Sequence, residues 1–295
     1  MNKVVDLFAG VGGLGLGFEQ AGFDVIAAYD IWAKASAVHD RNLRHPVYLL
    51  DLSNEKSAAR HIAQHSPNII IGGPPCQDFS SAGKRKERKN ADLTQSFARI
   101  ITLIKPMLFV MENVERARNS MSYARARKVF KGSDYGLTEV VLDASYCGVP
   151  QRRKRFFCVG AQNLPDGAFA AHLAGMLASQ PLTVADYMKD EIDTQFYYRH
   201  PRNYSRRAIY STNEPSATIR GVNRPIPPNY PGHPGDAAPI DKARPLTTQE
   251  RSRIQTFPTS WKWHGNKTDV EQMIGNAVPV ELGGFVARAI MQARQ

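Results

Sequence analysis

Lys3-Val4-Val5-Asp6-Leu7-Phe8-Ala9-Gly10-Val11-Gly12-Gly13-Leu14-Gly15 decides the fold of this chain. Residues 3–9 form an apolar run with little alternation, the pattern of a central parallel strand buried on both faces. Glycines follow at once, and residues 13–21 then carry helical spacing, so strand, tight turn and helix come in immediate succession. Gly10, Gly12 and Gly15 fit G-x-G-x-x-G, and Asp30 lies about twenty residues beyond, where an acid meets ribose hydroxyls. Glycine lets the backbone approach a ligand, and a helix N-terminus offers unpaired N–H groups to an anion. That anion can be a pyrophosphate or an amino-acid carboxylate. The turn alone does not separate NAD from S-adenosylmethionine.

The same alternation continues outward. Residues 25–30, 48–52, 68–71 and 107–111 read as strands, and residues 33–44, 57–64 and 93–104 as helices. Residues 138–143 and 155–159 add later strands with the spacing of a hairpin. Strands and helices exchanged at this pace predict an α/β fold with a doubly wound, mostly parallel sheet. Composition shifts after about residue 160 into Ala-rich, Tyr/Arg-rich and Pro/Gly/Asn-rich stretches. The reading is therefore a large domain of residues 1–160 and 245–295, with a smaller, loop-dominated domain of residues 161–244 inserted between them.

The chain has 295 residues and a formal charge of +11, and the basic residues cluster in residues 84–89, 116–128, 151–155 and 199–207. Such an excess favours a polyanionic partner, nucleic acid first. The three cysteines, Cys76, Cys147 and Cys158, are odd in number and show no Cys-x-x-Cys, which supports neither a disulfide framework nor a cysteine zinc site. His61 and His65 have a spacing zinc can use on a helix, but no third ligand accompanies them, so no metal is expected. No signal-peptide pattern or bilayer-spanning apolar stretch occurs. A cytoplasmic protein without membrane contact, monomeric for want of any dimer motif, is the expectation.

Four further segments carry chemistry. Gly73-Pro74-Pro75-Cys76-Gln77-Asp78-Phe79-Ser80 puts one cysteine on a rigid Pro-Pro step after a buried apolar strand. Ligand sites in open α/β sheets gather at such carboxyl ends. Met111-Glu112-Asn113-Val114 places a carboxylate at the end of the next strand. Gly148-Val149-Pro150-Gln151-Arg152-Arg153-Lys154-Arg155 leads into an apolar strand, where alternation directs Arg153 and Arg155 to one face. Met273-Ile274-Gly275-Asn276-Ala277-Val278-Pro279 is a turn that opens a helix.

Together and in this order, these segments resemble the DNA cytosine-5 methyltransferases. The match spans about residues 3–160 and 244–290, with Asp6 to Gly10, Pro74 to Gln77, Glu112 to Val114, Gln151-x-Arg153-x-Arg155 and Gly275 to Pro279 in family order. The resemblance implies a cytosine flipped out of double-stranded DNA, with the Cys76 thiolate adding to its C6 and a methyl passing from S-adenosylmethionine to C5. S-adenosylhomocysteine is the product. Glu112 would hold N3 and the exocyclic amine. Arg153, with Arg155, would neighbour thiolate, phosphate or the cytosine O2.

For the cofactor, the same likeness places Phe8 against the adenine, with Gly10 and Gly12 in the turn and the Val11 and Gly13 N–H groups at the methionine carboxylate. Asp30 would take the ribose and Asp51 the adenine amine; Ile31, Leu93, Asn276 and Val278 complete the pocket. Two positions depart from the family pattern: Asp30 stands where Glu is usual, and Ile31 where an aromatic is common.

Residues 80–90, with Ser80, Lys84 and Arg85, would form a basic lid over DNA, and Gln151 would also face it. Residues 161–244 would be a target-recognition domain. There Thr218 and Ile219 match the family's Thr-aliphatic pair, and Arg220, Asn223 and Arg224 are candidate base readers. The family also implies a restriction-modification setting with a cognate endonuclease, or a solitary or phage enzyme. Rival readings are a tRNA cytosine-5 methyltransferase, a non-catalytic DNA-binding relative, and a NAD-dependent oxidoreductase.

Overall fold

The computed structural model describes residues 3–75 and 92–294. Strands β1 (Lys3–Leu7), β2 (Asp24–Asp30), β3 (Val47–Leu49), β4 (Ile69–Gly72) and β5 (Leu108–Val114) alternate with helices α1 (Gly13–Gln20), α2 (Ala33–Asn42), α3 (Glu55–Ala63) and α4 (Leu93–Ile104). Helix α5 (Met121–Lys131) precedes β6 (Tyr135–Asp143), β7 (Gln151–Arg152) and β8 (Lys154–Gln162). Seven of these strands form one sheet in the order β3-β2-β1-β4-β5-β8-β6. Strands β1 to β5 run parallel, and β8 is antiparallel to both its neighbours, β5 and β6. The doubly wound α/β reading holds, and the expected late hairpin is the β6–β8 pair.

Alternation along the central strands fills two cores. Val4, Ile69, Ile71 and Val110 bury on one face of the sheet with Leu14 and Phe18 of α1. Val5, Leu7, Ile70 and Phe109 bury on the other with Phe97, Ile101 and Phe130. Successive strand residues point to opposite faces, so one apolar run feeds both layers. Each such side chain contributes about 1.5–3 kcal/mol of burial. Helix α4 starts where the Asp92 carboxylate accepts the Gln95 N–H and stops at Lys105, held in the left-handed region at φ 54°.

The basic stretch 116–128 is more than a charge run. Ser120 caps α5 by accepting the Tyr123 N–H, and Tyr123, Ala126 and Phe130 bury on its inner face. Its charges occupy the outer side. His61 likewise does not sit on a solvated face: its Nδ1 lies 2.9 Å from the Tyr29 hydroxyl, beside Tyr48.

The rest of the chain comprises α6 (Ala170–Gly175), α7 (Val184–Met188), β9 (Phe196–Tyr198), β10 (Ile209–Ser211), β11 (Ser216–Ala217), β12 (Arg244–Pro245), α8 (Thr248–Ile254), α9 (Lys267–Asn276) and α10 (Val280–Gln292). A small sheet runs β10-β9-β12, while β11 pairs with β7. Packing crosses both boundaries of the 161–244 division. Phe169 and Leu173 lie in the core of the large sheet with α10. Farther along, Val184, Tyr197 and Ile219 share a third core with Leu246 and with Ile254, Val270 and Ile274 of α8 and α9.

Candidate active site

A cavity of about 560 Å³ opens at the carboxyl ends of β1, β2, β4 and β5. Its walls bring together Phe8, Gly10, Val11, Asp30, Ile31 and Asp51 from the ends of β1, β2 and β3, Leu93 from α4, Asn276 from the end of α9 and Val278 from the turn before α10. Gly73, Pro74, Pro75, Glu112, Arg153 and Arg155 line the same cavity. Pieces separated by more than 200 residues in sequence thus share one space.

Backbone N–H groups fix the Asp30 carboxylate. Gly10 donates to its Oδ2 and Trp32 to its Oδ1, each at 2.7 Å. Burial raises the Asp30 pKa while these N–H groups pull it back toward the charged form. Asp51 accepts from the Ser53 N–H at 2.9 Å. Phe8 adopts φ 56°, a left-handed conformation that ends β1 sharply and leaves its ring at the cavity wall. Gly12 and Gly13 lie behind that wall. The Gly12 N–H closes the turn onto the Ala9 carbonyl at 2.8 Å, and Gly13 packs so tightly that a Cβ would lie 2.2 Å from the Val278 carbonyl oxygen.

Asp6 and Trp32 are among the wall residues that escaped the sequence reading. Asp6 is buried, its Oδ2 accepts the Gly15 N–H at 3.1 Å, and its Oδ1 has no hydrogen-bond partner among the described residues. Burial holds its carboxyl well above the ordinary range; the Gly15 N–H opposes this, and the Asp30 and Glu19 charges reinforce it. An acid inside a wholly apolar strand was the available signal. Trp32 also lines the cavity. The aromatic missing at residue 31 stands one position later, while Ile31 is 69% exposed at the rim.

On the reaction side, the buried Asn113 donates from Nδ2 to the Pro74 carbonyl at 3.0 Å, which ties the Pro-Pro step to the end of β5. Arg155 Nε lies 2.9 Å from Glu112 Oε1. Burial raises the Glu112 pKa, and the charges of Arg155 and Arg153 offset part of that rise. The expected alternation is present: Arg153 and Arg155 face inward, while Arg152 and Lys154 are exposed. Arg153, however, spends its guanidinium on carbonyls. Its Nη1 donates to Ile219, and its Nη2 to Gly275 and Ala277, all at 3.0 Å.

Cys76, Ser80, Lys84 and Arg85 lie outside the described residues. Cys147 and Cys158 are buried, and burial pushes each thiol up to about 12, so neither supplies a thiolate near neutral pH.

Several candidate DNA contacts are engaged inside the protein. Gln151 is buried, donates to Gln255 Oε1 at 2.7 Å and accepts from the Ile219 N–H at 2.8 Å. Ile219 is a core residue. Thr218 Oγ1 donates to the Arg152 carbonyl at 2.8 Å, and Arg220 donates to the His200 carbonyl. Asn223 gives its Nδ2 to the Leu246 carbonyl at 2.8 Å and to Glu271 at 3.2 Å, which removes the donor that bidentate adenine reading needs. Arg224 is exposed.

Residues 2–292 match the family model of the C-5 cytosine-specific DNA methylases. The chain belongs to this family. It is 54% identical over 289 residues to the Type II methyltransferase M.HgiDI of Herpetosiphon aurantiacus, covering 98% of this chain and 94% of that one. It is also 54% identical over 292 residues to the Type II methyltransferase M.HindV of Haemophilus influenzae, covering 98% and 96%. A crystal structure of a putative DNA modification methyltransferase encoded in an Escherichia coli prophage superposes with a TM-score of 0.71 at 23% identity, covering 100% of this chain and 99% of that one. A Spodoptera frugiperda DNMT2 structure gives 0.72 at 19% identity and full coverage of both chains. These two likenesses carry the fold. The methylase is thus a DNA methyltransferase enzyme with a mostly parallel α/β sheet, as its motifs imply. Among its described residues, no helix is long and apolar enough to cross a membrane.

Proposed function

We propose that this methylase transfers a methyl group from S-adenosylmethionine to C5 of a cytosine flipped out of a short specific site in double-stranded DNA. One observation carries the reading. A buried pair, Glu112 and Arg155, shares a single cavity with two strand-end acids, Asp30 and Asp51.

The residues present fit the cofactor. Gly10 sits at φ +55° with open space where a Cβ would project, so the backbone is bare toward the cavity. Phe8, Trp32 and Leu93 offer apolar surface for an adenine, and Asp30 and Asp51 offer acceptors for hydroxyls and an amine. Bound there, S-adenosylmethionine supplies an electrophilic methyl on a sulfonium.

The chain's own residues do the rest. Cys76 as thiolate forms an S–C6 bond to cytosine, moving an electron pair toward C5. Glu112, whose pKa burial raises, would donate to N3 in its protonated form and limit charge build-up on the ring. Arg155 orients that carboxyl and stands at the O2 edge. C5, so activated, would take the methyl that the sulfonium supplies and then lose its proton to solvent, and breaking of the S–C6 bond would return Cys76. A flipped base is reached this way at a cost of about a few kcal/mol.

The +11 charge supports a DNA partner bound with strong salt dependence. The two Type II relatives support a restriction-modification setting with a cognate endonuclease, and a monomeric cytoplasmic enzyme agrees with the reading. The test is transfer from labelled S-adenosylmethionine to mixed-sequence DNA and to total tRNA, with the DNA mapped by bisulfite sequencing. Label at cytosines of one short DNA motif is expected. Label confined to tRNA, or no label with a folded protein, would overturn the proposal.

A further inference from the structure

Arg153 is 2% exposed, and among the described residues no carboxylate hydrogen-bonds it; its forked end lies among three main-chain carbonyls from two distant segments. Two of them belong to Gly275 and Ala277, which line the cavity together with Asn276 and Val278. The third, Ile219, belongs to the segment around Thr218 to Arg224. No other side chain gives this geometry: a guanidinium donates in several directions from one plane, whereas an ammonium is a point donor on a flexible stem.

The two segments touch along their length. A Cβ on Gly275 would fall 2.1 Å from the Gly221 nitrogen, so the backbones are in direct contact there. Gln255 donates to the Ile274 and Ala277 carbonyls at 2.5 and 3.1 Å and accepts from Gln151, which in turn holds the Ile219 N–H. Arg251 joins Glu271 of α9 to the Arg220 carbonyl. A displacement of residues 275–278 therefore cannot leave residues 219–223 in place.

We infer that Arg153 is a positioning residue that makes the cofactor-side loop and the 218–224 segment one body, so that filling the cavity and binding DNA strengthen each other. This rests on the proposed function together with the expected placing of Asn276 and Val278 at the cofactor and of residues 218–224 at DNA. Linkage is reciprocal, so each ligand tightens the other by the same factor.

The test measures duplex-DNA affinity with and without saturating S-adenosylhomocysteine, using an oligonucleotide that carries the mapped motif. In the wild type the ratio is expected to be about tenfold. Arg153→Lys should bring it close to one, while Arg155→Lys should keep the ratio and lose turnover. A ratio of one in the wild type, or an undiminished ratio in Arg153→Lys, would overturn the inference. Because Arg153→Lys can fail to fold, amide hydrogen exchange of the wild type decides independently. S-adenosylhomocysteine should slow exchange at residues 219–223, which it does not contact. Calorimetric binding without that slowing would sink this inference alone, and no binding at all would sink the functional proposal with it.

Discussion

Arg155 Nε lies 2.9 Å from Glu112 Oε1, and both side chains are largely buried at one wall of the cavity. The antiparallel pairing of β5 and β8 sets this contact, since Val114 stands opposite Arg155 and places Glu112 on the adjoining diagonal. Removing either charge leaves the other buried and unpaired, so the pair tolerates little change. Glu112→Gln keeps the shape but cannot donate from a carboxyl to N3. A fall in kcat of about 10²–10⁴-fold is expected, with little change in the KM for S-adenosylmethionine.

The same carboxyl sets a pH dependence. Its folded pKa is raised, first by burial, so the protonated form persists above the usual carboxylate range. Wild-type kcat should fall as pH rises through that folded-state pKa. Glu112→Gln should lack this limb of the profile, and an identical limb in both proteins would assign the titration elsewhere.

Gly73 stands between Pro74 and the same acid. A Cβ there would lie 3.2 Å from Glu112 Oε2, tighter than ordinary contact. Gly73→Ala should shift the carboxylate by a few tenths of an ångström and lower kcat by up to about 10²-fold. The melting temperature should stay near that of the wild type, because the crowding falls on a side-chain end and not on backbone.

Asp6 offers a stability test with a definite sign. Its folded pKa lies above its unfolded value, so the native state binds the extra proton between the two. Stability from this group is present below the unfolded pKa and is lost as pH rises through the folded one. Asp6→Asn should therefore gain stability relative to wild type as pH rises across that window, read by thermal melts at a series of pH values.

Residues 218–224 separate by engagement. Arg224 is exposed, whereas Asn223 is tied to Leu246 and Glu271. Arg224→Ala is expected to weaken binding to the cognate site by about 1–3 kcal/mol with an unchanged melt. Asn223→Ala should lower the melting temperature instead.

The sheet was legible because its strands are apolar runs, such as Ile69 to Ile71, punctuated by glycine turns and helical spacing. The cavity wall was legible where strand ends carry polar residues, as at Asp30 and Glu112. What sequence did not reveal is how side chains are spent. Arg153 and Arg155 look equivalent in an alternating basic strand, yet one meets a carboxylate and the other three carbonyls from residues 219, 275 and 277. Gln151 and Asn223 look free for DNA and are consumed by contacts made across long separations. Phe169 likewise packs into the core of the large sheet, a contact that its neighbours in sequence do not announce.

The central claim, that Cys76 forms a bond to cytosine during methyl transfer, is tested most directly by covalent trapping. Duplex DNA carrying 5-fluorocytosine in place of cytosine lacks the C5 proton whose loss precedes release. With S-adenosylmethionine, the wild type should form a denaturation-resistant protein–DNA adduct, located by mass spectrometry on the peptide containing Cys76 and absent in Cys76→Ala. A wild type that methylates ordinary DNA yet forms no adduct, or an adduct that persists in Cys76→Ala, would contradict it.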